Sequence, residues 1–195
     1  MVPRPSFTIR VSEWLHGVST TPVAVIALAI FLIFGFTVLP YQSRAAEEAS
    51  GGAGSPDTSF FYSPEDLYRM AEMYGAEGRQ AYIQARWRFD LVFPFVYGIF
   101  LATALSWTFG RGAAGDTIWQ RANLVPVLGV ICDFLENILT TVVMARYPER
   151  TALIDVLAPV ATALKWVFVG GSMVLLVVGL VFFFAARAQR RQSGA

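Results

Sequence analysis

The stretch VICDFLENILTT, residues 130–141, decides the fold. It lies in a segment otherwise apolar enough to cross a bilayer, yet it carries Asp133, Glu136 and Asn137. On a helix those three fall on one face. A charge at that depth is expensive, so it turns to the interior of a bundle and marks a candidate functional site.

The surrounding span covers about residues 122–145. Pro126, Gly129, Asp133, Glu136 or Asn137, and Thr140 form a stripe of small and polar residues, which lets helices approach closely and bond across the contact. A further span, residues 158–182, follows the loop at 146–150 and carries Lys165. Its apolar run is longer than a bilayer needs, so its first turns project or tilt, with Pro159 as a kink site. Gly170-Gly171 reads as a close-packing point. Upstream, residues 89–109 form a span that contains Asp90. Tyr82, Arg86, Asp90, Pro94 and Tyr97 are spaced for one helical face. Pro94 cannot donate to the carbonyl of Asp90, which predicts a kink and a free acceptor there.

The first span is residues 22–40. Thr21-Pro22 is a helix start, and Pro40 ends the run. Its eighteen apolar residues reach about 27 Å, close to the hydrocarbon thickness. A cleaved signal peptide is the rival. Its apolar core is usually shorter, and no clean small-x-small site follows, so the segment reads as retained.

Residues 43–60 read as a flexible linker. Ser63-Pro64-Glu65-Asp66 then starts a helix, with a capping serine, an early proline and acids at the positive end of the dipole. Residues 64–74 form an amphipathic helix with Leu67, Met70, Ala71 and Tyr74 on one face, closed by Gly75. It is expected on the membrane surface or on the bundle. A new helix from residues 76–78 is expected to run into the second span.

The fold class is therefore all-α: a polytopic membrane four-helix bundle with an extra amphipathic surface helix in the first loop, one membrane domain over residues 1–195. Bulk composition agrees. The chain is 55% hydrophobic and 15% charged, against roughly 25% charged in soluble domains. A net charge of +1 and no basic patch with interleaved aromatics set nucleic acid aside. A single cysteine, Cys132, excludes an internal disulfide and a cysteine metal cluster, and reads as a packing residue. The single histidine, His16, reads as an interface residue beside Trp14. No cofactor is expected. A hard cation on three carboxylates and an amide oxygen is a weaker alternative, and no metal site is assigned.

Four spans put both termini on one side. Arg4 and Arg10, then Arg187, Arg190 and Arg191, then Arg111 and Arg121 in the second loop make that side cytoplasmic in a bacterial inner membrane. Arg44, Arg69 and Arg79 oppose this, but from a long loop whose vote is weak. Glu136 then lies about 13 Å and Asp133 about 18 Å from the outer end of the third span. Lys165 falls in the outer half and Asp90 near the outer surface, so all four converge. A mid-helix acid costs about 2.5–3.5 kcal/mol and an apolar residue returns about 0.3–0.6, so the third span only breaks even against lipid. Its acids need partners. Lys165 is the deep cation, and Arg86 can turn inward to the carboxylates. If only Lys165 reaches the three acids, at least one of them is expected to be protonated or to bind a cation.

The run Tyr82-x3-Arg86-x3-Asp90-x3-Pro94-x2-Tyr97-Gly98, then Asp133-x2-Glu136-Asn137, then Leu164-Lys165-Trp166, resembles a pattern in small bacterial four-span integral membrane proteins of uncharacterised activity. The resemblance covers roughly residues 80–170 and implies no particular reaction. Four-span sterol-isomerase-like proteins also place acids inside a bundle. Their histidine-bearing site has no counterpart here, so that assignment is rejected.

The expected site is a polar pocket in the outer half, lined by Asp90, Asp133, Glu136, Asn137 and Lys165. Arg86, Tyr82 and Tyr97 are placed at its mouth. Its ligand would be a small amphiphile: a lipid headgroup, an isoprenoid or a quinone-like molecule. Membrane lipids, a second copy of the chain or a membrane-complex subunit are the expected partners. Two alternatives stand beside it: an accessory subunit whose charges only fix helix packing, and a proton-coupled carrier or lipid-modifying enzyme. In an enzyme, Glu136 or Asp133 would be the general acid–base and Lys165 or Arg86 would hold an anion. Nothing in the sequence requires catalysis.

Overall fold

The structure is a computed structural model that describes residues 6–112 and 118–193. Arg4 and residues 113–117 of the second loop lie outside the described residues. The chain is all-helical, with 86% helix and no strand among the described residues. Four helical segments are long and apolar enough to cross a membrane: Thr21–Ser50, Phe93–Gly112, Ile118–Arg146 and Ile154–Gln192.

Helix α1 is Phe7–Val18 and α2 is Thr21–Ile33. Pro40 does not end this span. A π turn over Phe34–Val38 closes with the Leu39 N–H on the Phe34 carbonyl, and α3 continues over Leu39–Ser50. The wider turn accommodates a proline that would otherwise clash with the carbonyl four residues back. Thr37 Oγ1 donates to the Ile33 carbonyl at 2.6 Å. Residues 43–50, expected to open the linker, are therefore helix. Gly51, at φ 60°, caps α3 in the left-handed region.

A 3-10 turn at Pro56–Thr58 leads to α4, Pro64–Arg86. Ser63 and Asp66 form a reciprocal capping box: the Asp66 N–H donates to Ser63 Oγ at 3.2 Å and the Ser63 N–H to Asp66 Oδ2 at 2.9 Å. Such a cap contributes about 1 kcal/mol. Gly75, at φ 62° and ψ −175°, breaks α4 where the sequence predicts an end. The second half stops at Arg86 rather than entering the next span. Turns occupy residues 87–92, and α5 is Phe93–Gly112. Pro94 thus sits in a first turn, where its missing N–H costs nothing. A 3-10 segment, Ile118–Leu124, precedes α6, Val125–Arg146, and α7 is Ile154–Ser193.

The chain divides into two compact units. One comprises Met1–Phe31, Tyr97–Leu128 and Phe168–Ala195, and the other Leu32–Val96 and Gly129–Val167. In the first, Leu105, Phe109 and Ala122 pack with Leu175, Leu176, Val178 and Phe182. Gly179 is needed there, because a Cβ would lie 2.5 Å from Thr108 Oγ1. A Cβ at Gly170 or Gly171 would meet nothing within 4 Å, so within the chain they are not the close-packing point that their pairing predicts.

The second unit has a tyrosine-rich core: Tyr62, Tyr68, Tyr74 and Tyr82 with Leu67, Ala71, Val143, Met144 and Ala158. Its long helices are polar inside and apolar outside. On α6, Glu136, Asn137 and Thr140 are buried while Ile131, Leu135 and Ile138 are about half exposed. On α7, Ala158, Thr162 and Lys165 are buried while Val156, Val160, Leu164 and Val167 are exposed. A water-soluble helix does the reverse.

Candidate functional site

Six charged residues of the second unit, Asp57, Arg86, Asp90, Asp133, Glu136 and Lys165, lie close together. Their centre is Asp57, on the Pro56–Thr58 turn. The Asp57 carboxylate lies 3.0 Å from Arg86 Nη1 and accepts from the Ser55 hydroxyl. Arg86 ends α4, and the same Nη1 lies 2.8 Å from Asp90 Oδ2. Its guanidinium also stacks over the Tyr82 ring at 4.8 Å, a cation–π contact. On α7, Lys165 Nζ donates to the Asp57 carbonyl at 3.2 Å and lies 2.5 Å from Glu136 Oε2 on α6. Asn137 Nδ2 reaches the Asp90 carbonyl at 3.5 Å, the acceptor that Pro94 leaves free. Asp133 is buried and acts electrostatically on Asp90.

Outside the spans, the environment sets the protonation states. Burial opposes the charge on Asp57, but Arg86, Lys165 and the Ser55 hydroxyl together hold its carboxyl below the ordinary value. Burial likewise opposes the charge on Arg86. Asp57, Tyr82 and Asp90 overcome it and keep the guanidinium charged. Asp90 is pushed up to about 7: burial dominates, Arg86 works against it, and the charges of Asp57 and Asp133 add to it. Burial raises the Tyr82 hydroxyl and pushes Tyr74 up to about 12.

Four acids (Asp57, Asp90, Asp133, Glu136) thus face Arg86 and Lys165. The Lys165–Glu136 and Arg86–Asp90 contacts are ion pairs by distance. Among the described residues, Glu136 Oε1, Asn137 Oδ1 and Arg86 Nε have no hydrogen-bond partner within the chain.

Two cavities border the network. One, of about 290 Å³, is lined by Gln42, Ser50, Ser55, Asp57, Arg86 and Phe89, among others. The other, of about 300 Å³, adds Tyr74, Tyr82 and Arg88 and shares Ser50, Arg86 and Phe89. Arg86 lines both cavities and Tyr82 the second. Asp90, Asp133, Glu136, Asn137 and Lys165 line neither cavity. Lys165 pairs with Glu136 and with the Asp57 carbonyl, and Asn137 with the Asp90 carbonyl. Tyr97 is buried in the first unit.

Asp57 is the residue that sequence reasoning passes over. It falls inside the 43–60 linker, and a Ser-Pro-Asp turn there is only a generic signal. Among the described residues, no group of three or more His, Cys, Asp or Glu side chains is placed to hold a metal ion. No family model, curated protein or solved structure matches this chain.

Proposed function

We propose that the chain is a multi-pass membrane protein whose second unit receives the polar headgroup of a small amphiphile. Membrane insertion is supported by the inverted helices: valines, leucines and isoleucines face outward along α2, α6 and α7 while carboxylates and amides are buried. In water those faces would be aggregation surfaces far larger than monomers carry. Both termini then lie on the cytoplasmic side of a bacterial inner membrane, by the arginine distribution. The first half of α4 is the amphipathic segment of the outer loop, resting its Leu67 and Ala71 face on the spans.

The observation that carries the ligand reading is Arg86. It is buried, it lines both cavities, and it belongs to a network with more acids than bases. Asp57 beside it supplies an acceptor, so the cavity offers a donor and an acceptor to a headgroup while Ala46, Ala85 and Phe89 offer apolar surface. Any proton exchanged on binding would be held by Asp90 or by the Glu136 side of the network. Ala46→Leu fills both cavities without touching a charge. Folded yield in detergent should be unchanged, and small molecules co-purifying with the wild type should be lost by mass spectrometry. No bound molecule in either protein would sink this reading.

One observation favours a second reading, an accessory subunit with a purely structural network. Lys165 holds the Asp57 carbonyl and Arg86 its carboxylate, so the network also clamps the first loop onto α4 and α7. Glu136→Gln, Asp133→Asn and Lys165→Met separate the two. Lost yield with no bound molecule supports the clamp, and normal yield with a lost molecule supports the pocket.

A further inference from the structure

The first unit contains a cavity of about 660 Å³, larger than either cavity in the second. Its ionisable lining is His16 and Glu13 from α1, Arg111 from the end of α5, and Arg121 from the 3-10 segment. That volume is in the range of small-molecule sites.

His16 is held from both sides. Its Nδ1 lies 3.0 Å from the Ser106 carbonyl and its Nε2 lies 2.8 Å from the Gln120 carbonyl. The two carbonyls, one at each ring nitrogen, fix the orientation of the imidazole. Gly110 permits the approach, since a Cβ there would meet Nδ1 at 3.1 Å. The frame around the ring is bonded throughout. Asn123 Nδ2 donates to the Ser12 carbonyl and to Ser106 Oγ, and Ser12 Oγ is 2.9 Å from Asn123 Oδ1. Gln120 Nε2 reaches the Phe109 carbonyl at 3.4 Å.

The arginines are placed differently. Arg111 lies over the Trp107 ring at 4.8 Å and donates to the Trp107 carbonyl, but it stays exposed, as does Arg121. Two arginines thus face one carboxylate, Glu13. The same unit carries a tryptophan belt: Trp14 is 63% exposed, and the Trp107 indole N–H donates to Thr21 Oγ1 at the start of the first span. Tryptophans at span ends mark headgroup depth.

We propose that this cavity is a binding site for a phosphate-bearing anion, supplied as the headgroup of an anionic phospholipid. The phosphodiester would sit between Arg111 and Arg121 with the His16 ring behind it, and the acyl chains would leave along the apolar faces of the spans. The lipid source rests on the membrane reading above. The phosphate chemistry does not.

The test uses the full chain in nanodiscs of phosphatidylcholine with and without phosphatidylglycerol, followed by native mass spectrometry of retained lipid. The wild type should retain phosphatidylglycerol preferentially, and Arg111→Gln and Arg121→Gln should each lower that preference about fivefold. Glu13→Gln, on an exposed position, should raise it. Inorganic phosphate is the second arm. Failure to displace the lipid identifies a headgroup site, and displacement that Arg121→Gln abolishes identifies a site that also takes free phosphate. Preference unmoved by both arginine variants overturns the proposal. If those variants do not fold, Glu13→Gln decides: no gain overturns it.

Discussion

Lys165 Nζ lies 2.5 Å from Glu136 Oε2 with the two side chains 8% and 0% exposed. Each charge has the other as its close ionic partner, and neither can reach water. Removing one leaves the other buried and uncompensated, which costs about 3–5 kcal/mol, whereas replacing both by neutral groups is often tolerated. Lys165→Met and Glu136→Gln should each lower the unfolding midpoint in detergent markedly. The double variant should recover much of the loss, giving a coupling energy of about 1–3 kcal/mol in a double-mutant cycle. Simple additivity would show that the two side chains do not depend on each other.

Asp90 supplies the pH dependence. It lies between α4 and α5, and its folded value of about 7 is above the ordinary one. The fold therefore favours the protonated acid. Its contribution is complete below about pH 4 and is lost as pH rises through about 7. Thermal midpoints should fall between pH 5 and pH 8, and Asp90→Asn, which stays neutral, should flatten that slope. A variant with the wild-type slope would place the titration elsewhere in the network.

What could be read beforehand follows how local the determining contacts are. The Asp133, Glu136, Asn137 face, the capping box at Ser63 and the break at Gly75 depend on residues within one helical turn. Pairing of Lys165 with an α6 acid followed from its being the deep cation. Two features were not legible. Pro40 reads as a stop, but the π turn before it absorbs the clash and carries the helix to Ser50. Asp57 makes its decisive contacts with Arg86 and Lys165, distant in sequence, from a turn whose composition only signals a loop. The Asp57 turn contacts Lys165 and Arg86, and Arg86 lines both neighbouring cavities.

Asp57 itself is testable in the opposite pH direction. Its carboxyl is held below the ordinary value, so its stabilisation is present above about pH 4 and lost as pH falls through the lower folded value. Asp57→Asn leaves Arg86 with Asp90 and keeps the backbone carbonyl that Lys165 uses. The loss should be moderate, about 1–3 kcal/mol at pH 7. It should concentrate in the first loop: hydrogen exchange should accelerate over residues 51–60 before it does in α6. Uniform acceleration across the unit would show that the turn is not a separate clamp.

Gly78 fixes how closely α3 lies on α4. A Cβ there would sit 2.5 Å from the Ala49 carbonyl oxygen and 3.1 Å from Tyr74 Cβ, and the first of these is backbone that cannot rotate away. Gly78→Ala should force the helices apart at a cost of about 1–3 kcal/mol, despite alanine's better helix propensity. The displacement would also widen the cavity that Gly78 lines beside Tyr82 and Arg86. Gly170→Ala is the matched control. Nothing lies within 4 Å of that site, so only the propensity gain, about 1 kcal/mol, should appear. Unfolding midpoints of the two variants should therefore move in opposite directions. Destabilisation by both would mean that Gly170 packs against something in the membrane, such as a second copy of the chain.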